Sequence, residues 1–304
     1  MLPSALPVRW DWRVAEVNYR TGVLGATSLV GACLLPLLTE SGAVVVAHSR
    51  RRAFKPTSDG VEWRLLGDAA ESGVDPIPCW ICVAPIWVLP DYFDLLEAHG
   101  ARRVVALSST SRFTKDDSQD PHEQEVAVRL AAAEARVQQW AEHLGVEWVV
   151  LRPTLIYGLG RDKNIAEIAR FIRRSGFFPL FGKACGLRQP IHVRDVAGAC
   201  VASLQVPDAI NRAYNISGGE TLSYRAMVMR VFDGMGRRPR LLTVPLWAFS
   251  LAVAVLRRVP RYRQWSSAMA QRMNRDLVFD HLDAARDFGF KPRSFVLDGD
   301  DLPS

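Results

Sequence analysis

Val23-Leu24-Gly25-Ala26-Thr27-Ser28-Leu29-Val30-Gly31 decides the fold of this 304-residue chain. An apolar run ends at Leu24, a glycine follows, and a helical apolar pattern begins at Leu29. The order is strand, tight turn, helix. Such a turn offers backbone N–H groups and the positive end of a helix dipole, which suits a pyrophosphate. Gly25 is free to take φ > 0, and Gly31 lets the helix pack close to the strand. Ser28 stands where the dinucleotide fingerprint usually has its middle glycine. Taken alone, the stretch is also compatible with an ordinary strand-to-helix turn.

Working outward, the first strand starts at about Asn18. The helix after the turn gathers Leu29, Val30, Cys33, Leu34, Leu37 and Leu38 on one broad face, with Pro36 predicting a kink and Ser41-Gly42 a stop. Ala43 to Ala47 is a β-branched run that reads as a second strand buried on both faces. Further strands are expected at Trp63–Leu66, Trp80–Pro85, Arg103–Leu107 and Trp148–Leu151. A long helix from about Pro121 to Leu144 carries Val126, Leu130, Ala133, Val137 and Trp140 at helical spacing, and Gly145 stops it. Six strands alternating with helices predict an α/β fold, a Rossmann-type doubly wound parallel sheet with ligands at the carboxyl ends of its strands.

After Pro153 the alternation breaks. Helices are expected at Ile165–Arg174, Arg194–Leu204 and Tyr224–Gly234, and strands at Arg212–Ile216 and Leu241–Val244. Phe177 to Leu187 reads as a Gly-rich aromatic loop. The division implied is an N-terminal extension over 1–16, a nucleotide-binding domain over 17–155, and a smaller substrate lobe over 156–304, partly interleaved with the sheet. The first residues lack an apolar core of signal-peptide length.

Composition narrows the class. With 49% apolar and 23% charged residues, the chain is ordinary for a globular protein. Its net charge of +6 is carried by arginine. No clustered arginine–aromatic face of the nucleic-acid-binding kind is present, so nucleic acid is not an expected partner. Five scattered cysteines point to a reducing compartment, hence a cytoplasmic location. Cys79-Trp-Ile-Cys82 has CxxC spacing but lies in an apolar run, and no second pair completes a metal site. Core packing is the expected role.

The end of the second strand bears on cofactor choice. A carboxylate there suits the free ribose 2′-OH of NAD, and arginine suits the 2′-phosphate of NADP. The sequence reads His48-Ser49-Arg50-Arg51-Arg52, without a carboxylate, which favours NADP(H) over NAD(H). A solvated arginine cluster is the plainer alternative.

Taken together, GATSLVG (25–31), LLGD (65–68), VAP (83–85), LSST (107–110), LRPTLIYG (151–158), RQPIHVRDVA (188–197) and DFGFKPRSF (287–295) resemble the extended short-chain dehydrogenase/reductase superfamily, NAD-dependent epimerase/dehydratase type. The resemblance runs from roughly Thr21 to Phe295. It implies that Gly25, Thr27, Ser28, Leu29 and Gly31 hold the pyrophosphate and that Arg50 and Arg51 take the 2′-phosphate. Asp68 and Ala69 would border the adenine, Ala84 and Pro85 the inner edge of the cofactor, and Pro153 and Ile156 the nicotinamide amide. Thr110 falls at the position of the catalytic Ser/Thr. Arg188 falls where sugar-nucleotide enzymes often contact the substrate diphosphate, a role that suits a guanidinium. Asp68 as a turn residue and Arg188 as a surface charge remain the plain alternatives. His192 and Asp195 read as structural, with Asp195 at a helix N-terminus. Members often dimerise through the helices flanking strands four and five, so the resemblance allows a homodimer.

One departure bears on the chemistry. The family's general acid/base is a tyrosine with a lysine four residues later, whose ammonium lowers the phenol pKa. Aligning Glu134 with the acidic residue of that helix puts Val126 and Leu130 at the two positions. None of the six tyrosines has lysine four residues on. Three readings follow. The chain is an oxidoreductase or epimerase-like enzyme acting on a carbonyl or nucleotide sugar through other groups, with Thr110, Ser111, Arg112 and Lys115 as candidates and Tyr157 across the cleft. Or it is a non-catalytic NADP(H)-binding sensor or accessory subunit of a larger assembly. Or it is a scaffold without cofactor.

Leu241 to Leu256 is nearly all apolar, and Arg257, Arg258, Arg261 and Arg263 follow. The run is too short to span a bilayer. It reads either as a core helix of the smaller lobe or as a peripheral contact from Leu241 to Arg263 with the inner face of a membrane.

Overall fold

The computed structural model describes residues 19–50, 60–67, 75–116, 118, 120–247 and 271–303. Seven strands form one parallel sheet: β1 Arg20–Leu24, β2 Val44–Ser49, β3 Val61–Leu65, β4 Cys79–Cys82, β5 Arg103–Leu107, β6 Glu147–Pro153 and, far along the chain, β11 Arg212–Ile216. Their order is β11-β6-β5-β4-β1-β2-β3. The chain moves outward from β1 through β2 to β3, then crosses to β4 and continues the other way. Reversal at β1 and β4 opens a crevice at their carboxyl ends, the usual seat of a ligand in such sheets.

Apolar side chains fill both faces, as parallel strands require. On one face, helix α1 (Leu29–Glu40) packs through Leu34 and Leu38 against Val23, Val45 and Ala47. Helix α6 (Val193–Gln205) packs beside α1 on the same side. On the other face, Trp80, Val104 and Val150 meet Leu130, Val137 and Ala141 of α4 (Pro121–Leu144). Two short helices, α2 (Phe93–Ala98) and α3 (Ser111–Thr114), follow β4 and β5. Asp120 accepts from the His122 N–H at the start of α4 and Gly145, at φ 68°, ends it.

Strand β11 is the point at which the second half of the chain enters the main sheet. Residues 212–216 belong to the main sheet, pairing in parallel with β6 from Arg212↔Val149 to Ile216↔Pro153. The smaller lobe has its own core around Ile168, Leu180, Met227, Phe232 and Phe295. Its elements are α5 (Ile165–Ser175), α7 (Tyr224–Gly234) and three two-stranded ladders, while α8 (Leu282–Phe288) packs through Ala284 and Phe288 into the core of the main sheet beside β11. These pair β7 (Ile156–Tyr157) with β10 (Ile191–His192), β9 (Leu187–Arg188) with β12 (Leu222–Ser223), and β8 (Phe178–Phe181) with β13 (Leu241–Val244). The stretch 177–187, expected as loop, therefore contains β8 and the start of β9. Leu241–Val244 forms the expected strand. No helix among the described residues is long and apolar enough to cross a membrane. Of the proposed membrane stretch, 248–263 lies outside the described residues, as do the extension 1–16, Arg51, Asp68 and Ala69.

Candidate nucleotide site and the closed end of the sheet

The Gly-rich turn is assembled from its own backbone. Gly25 sits at φ 80°, in the left-handed region, and a Cβ there would meet the Ala84 nitrogen at 2.4 Å. Only glycine lets the ends of β1 and β4 come this close. A Cβ on Gly31 would lie 2.2 Å from the Ala26 carbonyl oxygen. Ser28 explains its place in the fingerprint by a different chemistry. Its N–H donates to Gly25 O at 2.9 Å, and its side chain accepts from the Gly31 N–H at 3.0 Å, capping α1. With φ of −72° the position has no need of glycine.

This turn opens on a cleft of about 510 Å³ at the crevice of the sheet. Gly25, Thr27, Arg50, Ala84 and Pro85, all expected from sequence, line it together. Thr27, Arg50 and Pro85 are exposed. Leu29 is half-buried against the core beside the turn. The structure adds apolar walls that sequence reasoning missed, Leu66, Val88 and Tyr92, and places His48 and Ser49 of the stretch read for cofactor choice beside them at the end of β2. Burial pushes the His48 imidazole down to about 4, helped by neighbouring His99 and Arg64. It is neutral at pH 7 and packs on Trp80 with ring centres 5.2 Å apart. Arg50 is therefore the charged side chain of the described lining near neutral pH.

The carboxyl ends of β5 and β6 are built differently. Thr110 is buried, and both its N–H and its hydroxyl donate to the Pro153 carbonyl at 3.2 Å. Glu134 of α4 is 5% exposed and accepts from Ser108, Arg112 and Arg152, the last through Nε at 3.1 Å and an NH2 group at 2.6 Å. Both guanidinium groups also lie on the Phe113 ring, 5.5 and 5.2 Å from its centre. On the same helix Leu130 is buried in the core and Val126 is half-buried. Lys115 is half-buried just past α3. Pro153 is buried and Ile156 half-buried at the end of β6.

Two expected site residues lie elsewhere than the sequence reading put them. Tyr157 does not face the cleft. It is fully buried in the smaller lobe, edge-on to His192 and Phe295, and its hydroxyl donates to the Val296 carbonyl at 3.2 Å. Burial, reinforced by nearby Asp301, raises its pKa far above the range of a working base. Arg188 is also no surface charge: it is 4% exposed and donates to the carbonyls of Leu187 and Arg275 at 2.7 Å, and to that of Arg272. Burial lowers its pKa to about 10, and its guanidinium lies over the Tyr224 ring. Its donors are spent on the protein's own turn at 272–275.

The remaining candidates are structural in their contacts. His192 accepts from the Arg194 N–H through Nδ1, so its proton sits on Nε2, which donates to Asp301 at 3.0 Å. Asp195 in the first turn of α6 accepts from Arg293. Cys79 and Cys82 lie on β4, where burial raises their thiols to about 11 and about 12. Among the described residues no group of three or more His, Cys, Asp or Glu is placed to hold a metal.

Residues 91–217 match the model of the NAD dependent epimerase/dehydratase family. A UDP-glucose 4-epimerase of Vibrio cholerae is 24% identical over 139 residues, covering 46% of this chain and 42% of that protein. NADH dehydrogenase (ubiquinone) 1 alpha subcomplex subunit 9, mitochondrial, of Arabidopsis thaliana is 22% identical over 255 residues, 73% of this chain and 60% of that protein. The chain thus spans about two-fifths to three-fifths of the length of these curated relatives. Among solved structures, a UDP-galactose 4-epimerase matches with a TM-score of 0.67 at 15% identity, over 93% of this chain and 95% of that one. MoeE5 in complex with UDP-glucuronic acid and NAD matches with a TM-score of 0.65 at 24% identity, over 91% and 94%. Residues 91–217 are thus similar to the NAD dependent epimerase/dehydratase family, and the chain shares its fold with these solved structures over more than nine-tenths of its length.

Proposed function

We propose that the protein binds NADP(H) in the Gly25–Gly31 cleft and holds it without the turnover typical of the family, as a sensor or an accessory subunit. The observation that carries the binding half is the cradle at Gly25, where a side chain would fill the space against Ala84. Gly25, Thr27 and the start of α1 would take the pyrophosphate, and Arg50 the 2′-phosphate. The absence of a carboxylate from the described lining supports NADP(H) over NAD(H). When bound, this group supplies a hydride at its nicotinamide ring.

The non-catalytic half rests on the closed end. Hydride transfer to a carbonyl needs a proton donor at the oxygen. Val126 and Leu130, aligned with the family's Tyr and Lys, have none. The Thr110 hydroxyl is spent on Pro153, and Tyr157 is buried away from the cleft. The relative named as a subunit of NADH dehydrogenase, matched over 73% of this chain, supports an accessory role. Nucleotide-sugar turnover, the activity in the names of the epimerase relatives, is the competing reading.

Titration of the purified protein with NADPH, followed by cofactor fluorescence, tests the binding half. Saturable enhancement is expected. Arg50→Ala should weaken NADPH by about tenfold, the worth of a charge-assisted hydrogen bond, and leave NADH unchanged. No enhancement sinks the binding reading. Consumption of NADPH with any member of a panel of carbonyls and UDP-sugars sinks the non-catalytic one.

A further inference from the structure

We infer that one face of the smaller lobe is a docking surface for an anionic lipid bilayer. The face is built from the end of α5, the β8–β13 ladder and the turn before β13. Phe171 and Phe177 meet edge-on at 5.9 Å, and the Phe178 N–H donates to the Arg240 carbonyl at 2.9 Å, joining α5 to the turn. Arg237 reaches the Ile172 carbonyl at 3.3 Å, closing the same seam. In the ladder Leu242 stands opposite Pro179, and Gly182 donates to Val244 O beside Leu246.

The side chains turned outward here are of two kinds. Phe171, Phe177, Leu242, Leu246 and Trp247 are all exposed, with Trp247 at 73% and Leu242 at 53%. Arg174, Lys183, Arg237, Arg238 and Arg240 are exposed around them, while the Arg173 guanidinium donates to the Pro303 carbonyl. The acids of the same elements are Asp233 of α7 and Glu167 of α5, and Glu167 is paired with Arg170. Exposed tryptophan, phenylalanine and leucine inside a rim of cations is the composition of elements that lie in the headgroup layer. A protein partner of ordinary kind would instead meet an interface core poor in charge and a rim of both signs. The ladder also fixes the depth. Phe178 and Leu180 point into the lobe's core, so it is Leu242, Leu246 and Trp247 that enter the interface while the arginines stay at phosphate level.

The test is co-sedimentation of the full chain with vesicles of phosphatidylcholine containing phosphatidylglycerol, at low ionic strength. Binding is expected there, weak binding to pure phosphatidylcholine, and release at high salt as screening shortens the reach of the charges. Each exposed basic residue near an anionic surface contributes about fivefold in affinity. Arg237→Glu with Arg238→Glu and Arg240→Glu should therefore lose on the order of a hundredfold. Leu242→Ser with Trp247→Ser should lose about tenfold or more. Circular dichroism checks the fold. The charge-reversal set lies on an exposed turn and carries the test even where the serine variants lose stability. Protein that stays in the supernatant at low salt overturns the proposal. Equal binding by the charge-reversal set overturns it too. So does gel filtration showing that Trp247→Ser dissociates an oligomer, because a second copy then covers the face.

Discussion

Two neighbouring stretches of the sheet's carboxyl edge, meeting where β4 pairs with β5, solve opposite problems. At the ends of β1, β2 and β4 the surface is backbone: a glycine turn, a helix start and a cleft left open. At the ends of β5 and β6 it is side chain: one carboxylate ties down two guanidinium groups and a serine, and leucine fills the next turn of the helix. Open backbone can recognise a phosphate without spending a side chain. The closed network spends Ser108, Thr110, Arg112, Glu134 and Arg152 on one another and on the Pro153 carbonyl. The open turn and the closed network thus sit on separate pieces of chain, so one can be altered while the other is kept.

The comparison breaks most visibly at Glu134. Glu134→Ala leaves Arg112 and Arg152 without their common partner, and the loss of a buried ion pair costs about 4 kcal/mol. A fall in melting temperature of roughly 10 °C is expected by calorimetry. NADPH affinity of the folded protein should stay within about twofold of wild type. A larger loss would mean that the two edges are one site.

Gly25→Ala attacks the open edge. The left-handed conformation alone costs an alanine about 1–2 kcal/mol, and the 2.4 Å approach to Ala84 N forces β1 and β4 apart. NADPH binding should weaken by about thirtyfold, measured by the same fluorescence titration. Full affinity in a folded variant would remove the turn from the site.

The smallest effect concerns how the closed edge is pinned from behind. His192 starts α6 and contacts Tyr157, and its ring is held by Asp301 near the end of the described chain. Burial pushes the Asp301 carboxyl up, but the His192 N–H and the amides of Asp298 and Leu159 outweigh it and hold the pKa below the usual value. A depressed carboxylate pKa stabilises the fold above the unfolded value, about 3.9, and that stability is lost as pH falls through the folded value. Asp301→Asn should therefore lower the melting temperature by a few degrees, roughly 3 °C, at pH 6, and the difference from wild type should shrink below about pH 4. A difference constant with pH would show that the pair acts only by shape.

The sheet was legible because its strands are local: Val44–Val46 and Val104–Val105 are β-branched runs that helices avoid. Strand β11 is legible as a strand, but its place at the sheet edge is decided by what it pairs with, some sixty residues upstream. Strand β8 was missed because Phe-Pro-Leu-Phe carries no alternation and its partner lies at 241–244. In the site, glycines and Arg50 announced themselves by chemistry. Leu66, Val88 and Tyr92 gave no signal, as an apolar wall of a cleft looks like core in sequence. Tyr157 and Arg188 misled for the same reason. A polar side chain declares its partner only in three dimensions, and theirs are backbone carbonyls at Val296, Arg272 and Arg275.

The pairing of β8 with β13 also sets a timetable. A parallel ladder between residues 178–181 and 241–244 closes a long loop, the kind of contact that forms late and slowly. On a ribosome the first six strands of the sheet are complete once Pro153 has emerged, whereas its outer edge waits for Ile216 and the smaller lobe for Val244. During that interval β6 has an uncovered edge, and β8 waits with its phenylalanines exposed. Synthesis therefore passes through a half-protein that already carries the glycine turn but lacks α6 beside α1, so the helix that follows the turn gains its packing partner only later.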